Sequence, residues 1–70
     1  MSIYKLKEKV ETAGEMGVWA RIAKSGRLDC VLNIDENYYI QRYISRSMLF
    51  YIHIKDGRLI KVCVYEKEKK

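Results

Sequence analysis

Four turn-like segments recur about every ten residues after the first third of the chain. Between them, apolar and polar residues alternate with a period of two, which is the pattern of half-buried strands. Turns at this spacing are typical of an antiparallel meander. The segments are Lys24-Ser25-Gly26, Asp35-Glu36-Asn37, Ser45-Arg46-Ser47 and Lys55-Asp56-Gly57. The pattern therefore predicts five strands, at 18–23, 27–34, 38–44, 48–54 and 58–65.

The loop lengths predict how these strands pair. If each segment is a three-residue loop, Leu32 lies opposite Ile40, and Ile52 lies opposite both Ile40 and Ile60 on its two neighbouring strands. Most aliphatic residues then share one face of the sheet, with Arg42 as its single charged residue. The strand residues predicted for the core are Val18, Ala20, Ile22, Leu28, Cys30, Leu32, Ile34, Ile40, Ile44, Met48, Phe50, Ile52, Ile54, Ile60, Val62 and Val64.

An amphipathic helix is predicted before the first strand, from Ser2 to Ala13. Its apolar stripe of three- and four-residue spacing comprises Ile3, Leu6, Val10 and Ala13. This stripe is expected to cover the aliphatic face of the sheet, where Arg42 would snorkel outward or pair with Glu11 or Glu15. The predicted fold class is therefore α+β: an N-terminal helix packed on one face of a five-stranded antiparallel meander sheet.

One segment has a competing interpretation. Asp35 could cap a second helix over 36–47, because Ile40, Tyr43 and Ile44 also have helical spacing. That would give an α-ββ-α-ββ order. The aromatic and β-branched residues of this segment favour a strand.

Length and composition limit the protein class. Seventy residues are enough for one small domain, predicted over 1–65, followed by a charged, frayed tail over 66–70. No apolar run approaches the roughly 20 residues of a membrane span, and the N-terminus lacks a signal-peptide core. Cys30 and Cys63 are too few for a disulfide scaffold. A cytoplasmic location is expected, and the abundance of Lys, Glu, Ile and Tyr favours a thermophilic source.

The second face of the predicted sheet is aromatic and basic. Bases stack on aromatic rings and cations attract phosphates, so such a face is typical of single-stranded nucleic-acid binding. The net charge of +5 has the matching sign. The candidate binding residues are Trp19, Arg21, Tyr39, Gln41, Tyr43, Tyr51, His53, Lys61 and Tyr65. A basic loop patch of Lys24, Arg27 and Arg46 is predicted at one end of the sheet.

Two function classes follow. The first is a non-enzymatic, sequence-tolerant binder of single-stranded DNA or RNA. The second is a protein–protein interaction module, a homodimeric adaptor or an inhibitor, that uses the same face, because interfaces are enriched in Tyr, Trp and Arg. Neither needs a cofactor, a metal, a membrane or a small-molecule substrate.

Catalysis has little support in the sequence. His53 is the single histidine, and the predicted register places it opposite Leu59, away from Cys63. Cys30 is expected on the other face from Cys63, which disfavours a zinc site. Asp29 is expected to pair with Arg21 across the first hairpin.

Overall fold

The computed structural model describes residues 4–10 and 13–67, with side chains at position 14 and at 16–66. The elements are β1 (Tyr4–Val10), α1 (Ala13–Lys24), β2 (Arg27–Asp35), β3 (Tyr38–Ser45), β4 (Met48–Lys55) and β5 (Arg58–Lys67). Strands β2 to β5 form an antiparallel meander, and β1 pairs with β5 at its edge, which gives the order β1-β5-β4-β3-β2. The predicted α+β class is confirmed, as are the strands now seen as β2 to β5.

The first third of the chain differs from the prediction. The expected helix over 2–13 is wrong, because residues 4–10 form β1; residues 2, 3, 11 and 12 lie outside the described part. The expected strand over 18–23 is also wrong, because it lies within α1. Gly14 and Gly17 are exposed residues of α1. Glycine costs a helix about 1 kcal/mol relative to alanine, and packing of the apolar side of α1 outweighs that cost.

The core lies between α1 and one face of the meander. Phe50 and Ile52 of β4 and Val62 and Val64 of β5 are almost fully buried there, as predicted. Helix α1 contributes buried Met16 and Ala23, and half-buried Trp19 and Ala20 pack around them. The Trp19 ring centre lies 6.0 Å from that of Phe50. These four helix residues recur at three- and four-residue spacing, which gives α1 its buried side.

Several residues predicted for the core are outside it. The exposed ones share positions on α1, on edge strand β2 or near the start of β5: Val18, Ile22, Leu28, Leu32, Ile34 and Ile60. Strand β2 lies at the edge and contributes little to the core, since eight of its nine residues are exposed. The predicted helix residues Ile3, Leu6 and Val10 lie outside the described side chains.

The hairpin loops are one residue shorter than predicted. Ser45 pairs with Met48 and Lys55 pairs with Arg58, so each loop contains two residues. Ile52 therefore lies opposite Gln41 on β3 instead of Ile40. A shift of one residue reverses the faces of a strand relative to its neighbour, so β3 is turned over relative to the prediction.

Two other predicted pairings are either observed or shifted by two residues, and neither change moves a residue to the other face of the sheet. Leu32 lies opposite Ile40 as predicted, because a register shift between Asn33 and Asp35 offsets the shorter loop. On β5, Val62 rather than Ile60 lies opposite Ile52, and this two-residue shift keeps Val62 and Val64 in the core. The alternative second helix over 36–47 is wrong, since β3 occupies this segment.

The last strand reaches into the predicted tail. Strand β5 continues to Lys67, so residues 66 and 67 are paired with β1. Residues 68–70 lie outside the described part. Within the described residues, no helix has the length and apolar character needed to cross a bilayer.

Candidate functional site

The sheet has a second face, turned away from α1, which is here called the open face. Cross-strand pairing aligns Cys30, Arg42, Tyr51 and Cys63 in one row across β2 to β5. Other open-face positions on β3 to β5 include Tyr38, Ile40, Ile44, Leu49, His53, Lys61 and Tyr65. The expectation that Cys30 and Cys63 lie on opposite faces is therefore wrong.

A shallow pocket of about 720 Å³ lies on this face, between β2 and β5. Its walls are Asp29, Arg42, Ile44, Leu49, Tyr51 and Tyr65. The Tyr51 and Tyr65 rings meet edge to face, with centres 5.4 Å apart and planes at 74°. This arrangement is favourable for aromatic pairs and holds both rings beside the pocket.

Arg42 forms the polar wall of the pocket. Its Nε donates a hydrogen bond of 2.7 Å to Oδ2 of Asp29, and its Nη2 contacts the same oxygen. Its Nη1 donates a longer bond, 3.4 Å, to the Tyr51 hydroxyl. The bonds to Tyr51 and Asp29 raise the pKa of Arg42 above its already high ordinary value. The guanidinium is thus permanently charged and held in position next to the Tyr51 ring.

This ion pair replaces two expected ones. Asp29 pairs with Arg42 instead of Arg21, and Arg42 lies on the open face instead of in the core; Glu11 and the Glu15 side chain, its other expected partners, lie outside the described residues. The pairing has a local cause: the β2–β3 register shifts between Leu28 and Cys30, which leaves Asp29 as the extra residue beside Arg42. Both side chains remain about one-third exposed or less, so the pair is a surface ion pair that contributes about 1 kcal/mol or less.

A second polar group lies farther along the open face. The Tyr38 hydroxyl and His53 Nδ1 share a hydrogen bond of 2.7 Å, and Cys63 Sγ lies 3.9 Å from His53 Nε2. The predicted separation of His53 from Cys63 is wrong, because His53 lies opposite Lys61 rather than Leu59. His53 is only 9% exposed. Its hydrogen bond to Tyr38 therefore satisfies a buried polar side chain and holds the imidazole in position.

The predicted binding face is divided between the two sides of the sheet. Tyr51, His53, Lys61 and Tyr65 lie together on the open face. The other candidates lie on α1 or on the helix side of β3: Trp19, Arg21, Tyr39, Gln41 and Tyr43. Tyr43 and Trp19 pack against the core, and Tyr39 and Gln41 line a groove beside Ala20.

The basic loop patch is brought to one end of the sheet. Lys24 ends α1, Arg27 begins β2 and Arg46 lies in the β3–β4 turn. An added Cβ on Gly26 would clash with the Ile44 carbonyl oxygen of β3. Gly26, which lies between Lys24 and Arg27, therefore packs against β3 two residues before Arg46.

The sequence interpretation missed the residues that complete the pocket. Asp29 was given a different partner, while Arg42 and Ile44 were assigned to the core face and to no binding surface. The Asp56-Gly57 pair was a usable signal for the β4–β5 loop, because it is typical of a two-residue type I′ hairpin. Both residues have positive φ, 52° and 74°, as this turn requires. The same loop length at Arg46-Ser47, which joins β3 to β4, places Arg42 opposite Tyr51.

Comparisons of this chain with protein-family models, with curated proteins and with solved structures find no match. In the described part of the chain, no three His, Cys, Asp or Glu side chains are grouped so as to hold a metal ion. The geometry of the open face is therefore the basis for a functional proposal.

Proposed function

We propose that the protein is a non-enzymatic binder of single-stranded nucleic acid that uses the open face. The observation that carries this proposal is the Tyr51–Tyr65 pair beside the fixed guanidinium of Arg42, in a pocket accessible to solvent. Aromatic rings stack on any base, so a pair of tyrosines binds bases with little sequence preference.

Charges around the pocket supply the contacts to phosphate. Lys61 lies on the same face, opposite His53, and Arg46 lies in the turn that joins pocket residues Ile44 and Leu49. Asp29 neutralises much of the Arg42 charge, so Arg42 is suited to hydrogen bonding with a base edge, whereas Lys61 and Arg46 are the phosphate contacts. The net charge of +5 favours association with a polyanion.

The test is a titration of labelled oligothymidine and oligouridine, followed by fluorescence anisotropy at several salt concentrations. Tyr51→Ala is expected to weaken binding roughly 5- to 150-fold, the equivalent of losing about 1–3 kcal/mol of stacking. Tyr51→Phe keeps the ring and is expected to bind nearly as well as the wild type. Tyr39→Ala is the matched control, because Tyr39 lies on the helix side.

Salt identifies the phosphate contacts. The logarithm of the affinity is expected to fall linearly with the logarithm of salt concentration, and Lys61→Ala should reduce that slope by about 0.7. Absence of binding at low salt would refute the proposal, as would equal losses in Tyr51→Ala and Tyr39→Ala.

The alternative proposal is a protein-interaction module that uses the same open face. Under this alternative, Tyr51→Ala would shift the elution of the protein on a sizing column towards a smaller species and leave nucleic-acid affinity unchanged. Both measurements use the same variants, so one set of proteins separates the two functions.

A further inference from the structure

Strand β2 is an exposed edge of the sheet with an apolar sequence. Its outer side has no pairing strand among the described residues. Leu28, Val31, Leu32 and Ile34 are each between 41% and 55% exposed. Edge strands with such sequences are templates for pairing with another chain, and proteins usually protect them with charged residues, especially lysine, with proline or with β-bulges. The β2 sequence, RLDCVLNID, contains no lysine or proline, and its two register shifts lie outside the central residues 30–33.

The opposite edge differs in its sequence. Strand β1, YKLKEKV, has Lys5, Lys7 and Lys9 among its seven residues. Lysine on an edge disfavours pairing with a second strand, because its charge would have to lose water. Only one of the two edges therefore has the composition of a pairing surface, and pairing through one edge yields a closed dimer rather than a filament.

We propose that β2 pairs antiparallel with β2 of a second copy of this chain, around a two-fold axis at Val31. This pairing makes the edge complementary to itself. Val31 meets its own copy, Arg27 meets the partner's Asp35 and Asp29 meets the partner's Asn33. The remaining pairs, Leu28 with Ile34 and Cys30 with Leu32, are apolar or nearly so. Each pair occurs twice except the one on the axis.

The chemistry of each pair supports this register. The two Arg27–Asp35 pairs bring opposite charges together at the rim. The Asp29–Asn33 pair brings no like charges together, and Asp29 keeps its ion pair with Arg42. Burial of the exposed leucine, valine and isoleucine side chains adds the apolar contribution that a 70-residue domain gains most from.

Neighbouring registers are less complementary. An axis at Leu32 places Asp29 opposite the partner's Asp35, so that like charges face each other. An axis at Cys30 places Asp29 opposite the partner's Val31 and leaves Asp35 beyond the pairing region. The central residues 30–33 pair with β3 without a register shift, so the part of β2 around Val31 has regular strand geometry.

The first test is charge reversal, measured by analytical ultracentrifugation over a dilution series without nucleic acid. Arg27→Asp and Asp35→Arg are each expected to weaken the dimer roughly 10- to 100-fold, because two attractive pairs become repulsive. The double variant restores opposite charges and is expected to recover most of the wild-type affinity. A wild-type protein that stays monomeric at all concentrations would overturn the proposal, as would a double variant no better than either single one.

Crosslinking tests the position of the axis. In a Cys30→Ser, Cys63→Ser background, Val31→Cys is expected to form a disulfide dimer under mild oxidation, because directly opposed Cα atoms lie about 4.5–5.5 Å apart. Asn33→Cys is the matched control: its two copies would be offset by four residues, about 13 Å, which is too far. Circular dichroism checks that both variants are folded. Equal crosslinking of the two variants would overturn the proposed register.

The proposed dimer interface and the proposed nucleic-acid site can be refuted independently of each other. The dimer measurements contain no nucleic acid, and the Tyr51 variants do not alter β2. If both proposals hold, the two-fold axis is perpendicular to the sheet, so both open faces lie on the same side of a continuous sheet.

Discussion

Two isoleucines give a direct test of the strand register. Ile52 is 2% exposed and lies opposite Val62, whereas Ile60 is 37% exposed. With three-residue loops, Ile52 and Ile60 would instead lie opposite each other in the core. Substitution to alanine removes the same atoms at both positions, so the difference between the two variants reports on burial alone to a first approximation.

The expected magnitudes are well separated. Ile52→Ala should lower the free energy of unfolding by about 2–5 kcal/mol, because it removes buried methyl groups and leaves a cavity. Ile60→Ala should lower it by about 1 kcal/mol or less, since the side chain already contacts water. A 70-residue domain has a total stability of roughly 4–10 kcal/mol. Ile52→Val, expected at about 0.5–1.5 kcal/mol, is the variant to use if Ile52→Ala does not fold.

Urea denaturation followed by tryptophan fluorescence is the appropriate assay. Trp19 is the single tryptophan and its ring lies over Phe50, so its emission reports on the packing of α1 against the sheet. All variants are measured at one protein concentration, because a dimer would make stability concentration-dependent. Equal destabilisation by Ile52→Ala and Ile60→Ala would show that Ile60 is in the core and would refute the two-residue loops.

Two further predictions concern glycine and a buried hydrogen bond. Gly17→Ala should stabilise the protein by about 0.5–1 kcal/mol, because no described atom lies within 4 Å of the new Cβ in α1. Gly26→Ala should destabilise the protein, because its Cβ would clash with the Ile44 carbonyl. Thermal melts that rank the two variants in the opposite order would contradict the turn geometry. Tyr38→Phe removes the hydroxyl that bonds to His53 and should lower the free energy of unfolding by about 0.5–1.5 kcal/mol. An unchanged stability in the same melts would show that this hydrogen bond contributes nothing.

The meander was predictable because its signal is repeated. Turn residues at regular intervals, separated by alternating sequences, identified β2 to β5 nearly to the residue. Phe50, Ile52, Val62 and Val64 were found for the same reason, since a two-residue shift on β5 does not change which face a residue occupies.

The first third of the chain was not predictable from local pattern. Residues 4–10 fit a helical stripe as well as a strand, and pairing with β5 decides between them. Residues 18–23 alternate like a strand, yet Met16, Trp19, Ala20 and Ala23 also have helical spacing, and contact with the core of β4 and β5 selects the helix. In both segments, tertiary contacts override local preference.

The position of Arg42 in the predicted core was a sign that the predicted β3–β4 register was wrong. A three-residue loop places this charge in an aliphatic core, where burial without a partner is costly. A loop one residue shorter turns β3 over, and Arg42 then meets Asp29 and Tyr51 on the open face. The same change moves Tyr39 and Tyr43 to the helix side. The length of one loop therefore determines which aromatic residues lie on the open face and which partners Arg42 has. A single charged residue in an otherwise consistent core is therefore evidence about register, and here it also identifies a wall of the candidate pocket.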